Sequence, residues 1–152
     1  MNKKLLVLLA LFIVIASVSA VSAFDLNDIF GSDENKTVTI GGVDFNIPAG
    51  FEDTNSSDSD AGFDQVKKEG YNVTAKVYSK DSNVVIVGVT HFNSSSEINM
   101  DELNVNKTTI KGINGSMTYI DGSYFFKYVK NNDLILISTS GDKDTIGEFI
   151  IA

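Results

Sequence analysis

Residues 113–139 read INGSMTYI, DG, SYFFKYVK, NN and DLILIST in order, and they carry the clearest strand pattern of the chain. Three segments of strand length, each with several apolar or aromatic residues, are separated by two short polar turns, Asp121-Gly122 and Asn131-Asn132. Asp, Asn and Gly tolerate the positive φ angles that two-residue hairpin turns require. The pattern therefore predicts an antiparallel meander with strands at residues 113–120, 123–130 and 134–139.

The segment that follows the meander predicts a helix. Its start offers capping or first-turn acceptors, namely Ser140, Asp142 and Asp144. Its apolar side chains are spaced i, i+3 and i+4, at Ile146, Phe149 and Ile150. Such spacing places them on one helical face, so we expect the helix to lie across the sheet.

The chain before the meander also predicts strands. Residues 37–40 and 43–47 flank Gly41-Gly42, which indicates a hairpin that ends at Pro48. Residues 71–78 alternate between apolar and polar, whereas residues 84–92 are almost wholly apolar, as in a strand covered on both faces. With a short helix within residues 94–103, the chain is predicted to be α+β. We expect a twisted antiparallel sheet (a meander) with a C-terminal helix packed on one face.

The N-terminal segment has the pattern of a signal peptide. Lys3 and Lys4 precede an unbroken apolar run at residues 5–16, and small residues end at Ala20 and Ala23. An uncleaved membrane anchor is the alternative, because residues 5–23 are just long enough to span a bilayer. The predicted organisation is a signal peptide at 1–23, an acidic leader or linker at 24–36, and a single α+β domain at 37–152. A cleaved signal predicts a secreted or cell-surface protein.

Composition narrows the classes of partner. The formal net charge is −8, and it falls to −10 when Lys3 and Lys4 leave with the signal peptide. The chain has no arginine, so it lacks the basic surface that binds nucleic acid, and a membrane is a partner only if the N-terminal segment is uncleaved. It has no cysteine, which excludes disulfides and thiolate metal sites. The expected partner is an unidentified protein or a cell-envelope component.

The chain carries six Asn-x-Ser/Thr sequons, which are candidate glycosylation sites. They begin at Asn35, Asn55, Asn72, Asn93, Asn106 and Asn114. This density fits a glycosylated surface protein, although a chain rich in Asn, Ser and Thr also generates sequons by composition alone.

One acidic loop is the candidate metal site. Its acids stand at positions 1, 3, 7 and 12 of a calcium-loop pattern, at Asp58, Asp60, Asp64 and Glu69. Positions 5 and 6 are Gly62 and Phe63, where an EF-hand has a ligand and a glycine. The loop therefore predicts at most weak Ca²⁺ binding, and a solvated acidic loop without a cofactor is the alternative.

No set of residues predicts catalysis. His91 is the single histidine, and no Gly-x-Ser-x-Gly elbow accompanies it, so we interpret it as structural. Tyr124, Phe126 and Tyr128 share one face of a strand, where core packing is the simpler interpretation than ligand stacking. The chain is accordingly predicted not to be an enzyme.

Two stretches carry a resemblance to known proteins, residues 38–51 (VTIGGVDFNIPAGF) and the run from residue 108 (TTIKGING) through residues 126–131 (FKYVKN). Together they resemble small, uncharacterised exported proteins of methanogenic archaea. More distantly, the opening strand followed by Ile-Pro-x-Gly-aromatic is similar to the start of PsbP-like domains, which pair an antiparallel sheet with helices. The resemblance spans residues 38–151 and implies an archaeal exported protein, without a catalytic motif.

These observations leave three hypotheses for function. The first is an exported, non-enzymatic domain that acts at the cell surface or in the medium by binding or as a structural component. The second is a weak Ca²⁺- or ligand-binding module that uses the loop from Asp58 to Glu69. The third is a minimal hydrolase, which the missing nucleophile and base disfavour.

Overall fold

The structure is a computed structural model that describes residues 33–54, 64, 67–98 and 100–152. Its strands are β1 (Lys36–Ile40), β2 (Val43–Ile47), β3 (Glu52–Asp53), β4 (Asn72–Lys80), β5 (Asn83–His91), β6 (Lys107–Ile110), β7 (Ile113–Ile120), β8 (Ser123–Lys130) and β9 (Asp133–Thr139). Its helices are α1 (Met100–Leu103) and α2 (Asp144–Phe149). A 3₁₀ turn at Ser95–Glu97 precedes α1. The predicted α+β class, mostly antiparallel sheet with a short C-terminal helix, is confirmed.

Seven strands form one sheet in the order β3-β4-β5-β9-β8-β7-β6. Each neighbouring pair is antiparallel, so β6 to β9 form a continuous meander. β1 and β2 form a separate two-stranded sheet, as a hairpin that packs on the larger one. The sequence pattern did not predict β3, which is two residues long, or β6, which is mostly polar.

Tight turns set the strand register. Both central residues have positive φ in the turns Gly41-Gly42, Lys111-Gly112 and Asp121-Gly122, as type I′ hairpins require. Gly41 has a second role, because a Cβ there would lie 2.9 Å from Cβ of Val89 and 3.2 Å from Nε2 of His91. The absent side chain lets the β1–β2 hairpin sit directly on β5.

The first face of the large sheet forms the main core. The hairpin, β5, β8, β9 and α2 contribute its fully buried side chains, which include Phe45, Val85, Phe126, Ile135, Ile137, Ile146 and Phe149. Burying each large apolar side chain contributes about 1.5–3 kcal/mol. This face therefore anchors both the N-terminal hairpin and the C-terminal helix.

The second face has its own apolar cluster. Successive side chains of a strand point to opposite faces of the sheet, so the strand neighbours of the first-face residues form this second cluster. Its members include Val77, Ile86, Phe125, Leu134 and Leu136. Ile98 and Leu103, from the segment around α1, pack on these residues. β5 is thus buried on both faces, as the apolar run at residues 84–92 predicted, and β9 is buried in the same way. None of the helices in the described part of the chain is long and apolar enough to cross a membrane.

Helix α2 docks through a small aromatic cluster. Phe149 is fully buried, and its ring meets Phe51 edge to face at 5.0 Å and Tyr78 at 5.9 Å. Oδ1 of Asp142 accepts a hydrogen bond from N of Asp144 (2.9 Å) at the start of the helix. The predicted apolar stripe is correct for Ile146 and Phe149, but the helix ends at Phe149. Ile150 is extended and forms a β-bridge with Phe45 instead.

We expect Phe149→Ala to cost about 3–5 kcal/mol of unfolding free energy, because it removes a fully buried ring and leaves a cavity. That is a large share of the stability of a small domain without disulfides. Lys143→Ala, at an exposed position just before the same helix, should change the free energy by less than about 0.5 kcal/mol. Urea denaturation of both variants measures the difference. Equal midpoints would show that docking of α2 does not stabilise the sheet.

Candidate functional site

The hydrogen-bonded pairing of β7 with β8 does not reach the start of β7 or the end of β8. Its last pair is Ser116 with Lys127, although β7 starts at Ile113 and β8 continues to Lys130. Beyond that pair, β7 is bonded only to β6 and β8 only to β9. The two strands therefore separate, and an opening forms in the sheet between them.

Gly115 lies at the point of separation. A Cβ at this position would overlap the main-chain oxygen of Lys127 and lie 2.6 Å from the Phe126 ring. The β7 backbone thus passes very close to β8 as it turns away. Glycine inside a strand often marks such a close approach or bend.

Contacts with α2 hold the β6–β7 hairpin away from β8. Ile110 and Ile113 pack against the first-face core, and Gly147 of α2 lies close enough that a Cβ would be 3.3 Å from Cγ2 of Ile110. Nζ of Lys111 donates a hydrogen bond to the main-chain oxygen of Ile150 (3.1 Å). Apolar burial on the first face is the physical reason that the strands part.

The opening is a cavity of about 730 Å³. Its lining comes from α1 and the residue after it (Met100, Leu103, Asn104), from the β6–β7 hairpin (Lys107, Thr108, Thr109, Asn114, Gly115) and from β8 (Tyr128, Val129). Ligand pockets typically have volumes of about 300–1,000 Å³. We name this cavity the strand-split cleft.

Hydrogen bonds fix the side of the cleft that leads from α1 into β6. Oγ of Ser116 donates to the main-chain oxygen of Val105 (2.5 Å), and N of Met117 donates to that of Asn106 (3.0 Å). Within the hairpin, Oγ1 of Thr109 donates to Oδ1 of Asn114 (2.7 Å). The Asn114 amide is therefore held with its oxygen on Thr109, which leaves its NH₂ group to donate elsewhere.

Tyr128 supplies an aromatic wall with a hydroxyl. The residue is 4% exposed, and its ring lies 5.5 Å from that of Phe126. Burial raises the pKa of the Tyr128 hydroxyl to about 12, so the group is a neutral donor at physiological pH. The prediction that this aromatic stripe packs in the core is confirmed for Phe126, whereas Tyr128 both packs in the core and lines the cleft.

The cleft differs in charge from the chain as a whole. Among the lining residues that the structure describes, Lys107 is the one charged side chain and none is a carboxylate. The complete chain has a formal net charge of −8. The cleft is thus a locally positive, amide- and hydroxyl-rich site in an acidic protein.

The predicted calcium loop lies partly outside the described residues. Asp58 and Asp60 lie outside the described residues, whereas Asp64 and Glu69 are both exposed. Within the described ranges, no group of three or more His, Asp or Glu side chains could hold a metal ion. Weak Ca²⁺ binding by this loop stays a prediction.

The described sequon asparagines are all exposed, at Asn35, Asn72, Asn93, Asn106 and Asn114, and Asn55 lies outside the described residues. Oδ1 of Asn35 accepts a hydrogen bond from N of Ala49 (2.9 Å), as Oδ1 of Asn114 does from Thr109. A glycan attaches through the amide nitrogen, so both acceptor roles are compatible with modification.

His91 pairs with Asp133 across β5 and β9, with Nδ1 and Oδ1 2.7 Å apart. Gly41 lies against Nε2 of the same ring. A triad needs a nucleophile at Nε2, and a glycine backbone occupies that side. The pair is therefore best described as a structural cross-strand contact, which only the strand register brings together.

Comparison of the chain with protein-family models, with curated proteins and with solved structures gave no match. The cleft itself was not predicted from the sequence. Gly115 within a strand pattern is the one local signal of it, since an isolated glycine there indicates a bulge or a close backbone approach.

Tyr128 and Tyr78 should make stability fall at high pH. Burial, and for Tyr78 the additional negative charge of Asp53, raises both pKa values to about 12, whereas an unfolded tyrosine ionises near pH 10. Their contribution to the free energy of unfolding is complete below pH 10 and is lost as pH rises from 10 to 12.

Urea denaturation of the parent and of Tyr128→Phe at pH 9 and pH 11 measures this loss. The variant should lose less stability between the two pH values than the parent, because one titrating hydroxyl is gone. Lysine ionisation affects both proteins equally and cancels in the comparison. Equal losses would contradict the raised pKa of Tyr128.

Proposed function

We infer that this protein is an exported, non-catalytic binding domain that acts at the cell surface or in the medium, and that the strand-split cleft is its binding site. The observation that carries this inference is the cleft itself, an opening of about 730 Å³ in an otherwise continuous sheet. Most protein interiors close such gaps, because voids forfeit packing contacts. A cleft lined by oriented polar groups is typical of a ligand site.

The lining supports binding rather than catalysis. The titratable side chains among the described lining residues are Lys107 and Tyr128, and the raised pKa of Tyr128 keeps its hydroxyl protonated at neutral pH. A nucleophile with an adjacent base, or a pair of carboxylates, is what hydrolytic sites require. Neither arrangement occurs among the described lining residues.

The N-terminal pattern and the sequons support an external location. Lys3 and Lys4, the apolar run at residues 5–16 and the small residues up to Ala23 form a signal-peptide pattern. The sequon asparagines within the described residues are exposed, as glycan attachment requires. The resemblance of residues 38–51, together with the run from residue 108 through residues 126–131, to exported archaeal proteins agrees with the same proposal.

We expect the native protein to start at Val21 or Phe24, because signal peptidases cleave after small residues such as Ala20 and Ala23. N-terminal sequencing of protein recovered from the medium and from the cell surface is the measurement. An intact Met1 in the membrane fraction would contradict cleavage and would favour an anchor.

Asn104→Trp should reduce retention of the purified mature protein on the envelope fraction of its source cells by about tenfold, the effect of losing about 1.4 kcal/mol of binding. Asn104 is exposed at the cleft, so an indole at this position covers the opening with little effect on the core.

Ser82→Trp is the matched control, since it adds the same side chain to an exposed turn between β4 and β5. It should retain the parental binding. Equal retention of the parent and both variants, or equal loss in both, would exclude the cleft as the binding site. Thermal melts of the two variants confirm that each is folded.

A further inference from the structure

The β8 strand has an open edge inside the cleft. Lys130 and Asp133 flank a two-residue turn and form the pair that closes the β8–β9 hairpin. The main-chain N–H and C=O groups of successive residues in a strand point to opposite sides. Tyr128 therefore also bonds to β9, where its partner is Ile135. The N–H and C=O of Val129, between Tyr128 and Lys130, point away from β9. That direction is into the cleft, because the β7–β8 ladder has already ended at Ser116 and Lys127.

An open strand edge selects for a particular kind of ligand. Unpaired main-chain donors and acceptors are satisfied by another extended backbone, which is the basis of strand addition to a sheet. Within β8, the N–H and C=O of Val129 face the cleft, between Tyr128 and Lys130, which bond to β9, and such a donor and acceptor pair matches one residue of an extended segment. The cleft volume is also of the size that a few peptide residues require.

We propose that the strand-split cleft binds a short extended peptide, which adds to the edge of β8 and places a carboxylate beside Lys107. The proposal rests on the proposed binding function and specifies the ligand of the same site. Main-chain pairing with Val129 provides the affinity that is independent of peptide sequence, and the other lining groups provide selectivity.

Charge complementarity favours the carboxylate. Lys107 is the one charged side chain among the described lining residues, so its ammonium group attracts an anionic group of a ligand. Lys107 is exposed, so the ion pair contributes modestly, roughly 0.2–1 kcal/mol. The acidic charge of the remaining chain disfavours peptides with several carboxylates, so a single one is expected.

The floor of the cleft favours an apolar side chain next to that carboxylate. Met100 is 53% exposed, although it is a large apolar residue, and Leu103 lies beside it in α1. Methionine adapts to ligands of different shapes. Alternate residues of an added strand point to opposite faces, so one apolar side chain would reach this floor.

The test uses the mature protein and the probe acetyl-Thr-Val-Ser-Val-Asp-amide, followed by amide NMR. We expect the probe to shift the amide signal of Val129 and to slow its hydrogen exchange. The same peptide N-methylated at alternate nitrogens should bind at least about tenfold more weakly, because it loses main-chain donors. Replacing Asp by Asn in the probe should weaken binding about two- to fivefold, and so should Lys107→Met, whereas Lys143→Met should not.

Three results would overturn the proposal. The first is that the N-methylated peptide binds as tightly as the parent peptide. The second is that the probe at millimolar concentration leaves the Val129 amide unchanged. The third is that a neutral oligosaccharide such as maltohexaose shifts this amide at lower concentration than the peptide does. None of these results would by itself exclude the proposed binding function. That function is tested independently by the envelope-retention experiment with Asn104→Trp, whose outcome does not depend on the class of ligand.

Discussion

Burial of β5 and β9 on both faces is the constraint on which the rest of the structure depends. Val85, Val87 and Val89 of β5 enter the first-face core, and Ile86 between them enters the second. β9 repeats the arrangement with residues 134–137. A strand buried in this way must be covered on each side, so the β1–β2 hairpin with α2 and the segment around α1 are both required.

The cleft is a consequence of how the first face is covered. Because α2 is short and ends at Phe149, it reaches only part of the sheet, and the β6–β7 hairpin turns toward it through Ile110 and Lys111. The apolar area buried there offsets the hydrogen bonds that are not formed between β7 and the end of β8. Stability on one face thus opens the sheet at the place where we propose that a ligand binds.

Turn chemistry and periodicity predicted most of the strands. Asp121-Gly122 and Gly41-Gly42 predicted hairpins, because their residues adopt positive φ at low cost. The alternation of residues 71–78 predicted a strand with one buried face. β6 was not predicted, because its residues 107–110 (KTTI) have little apolar pattern. Its pairing with β7 holds it as a strand. The prediction that the helix includes Ile150 was wrong, because Ile150 forms a β-bridge with Phe45 and the helix ends at Phe149.

Local sequence therefore specifies most of the elements, their turns and their buried faces, because these depend mainly on neighbouring residues. It also specifies the absence of disulfides and the export pattern at residues 1–23. The contact of His91 with Asp133, the separation of β7 from β8 and the composition of the cleft depend on residues far apart in the chain. Only the tertiary structure decides these features, since strand order and the docking of α2 determine which distant side chains meet, and no periodicity encodes that choice.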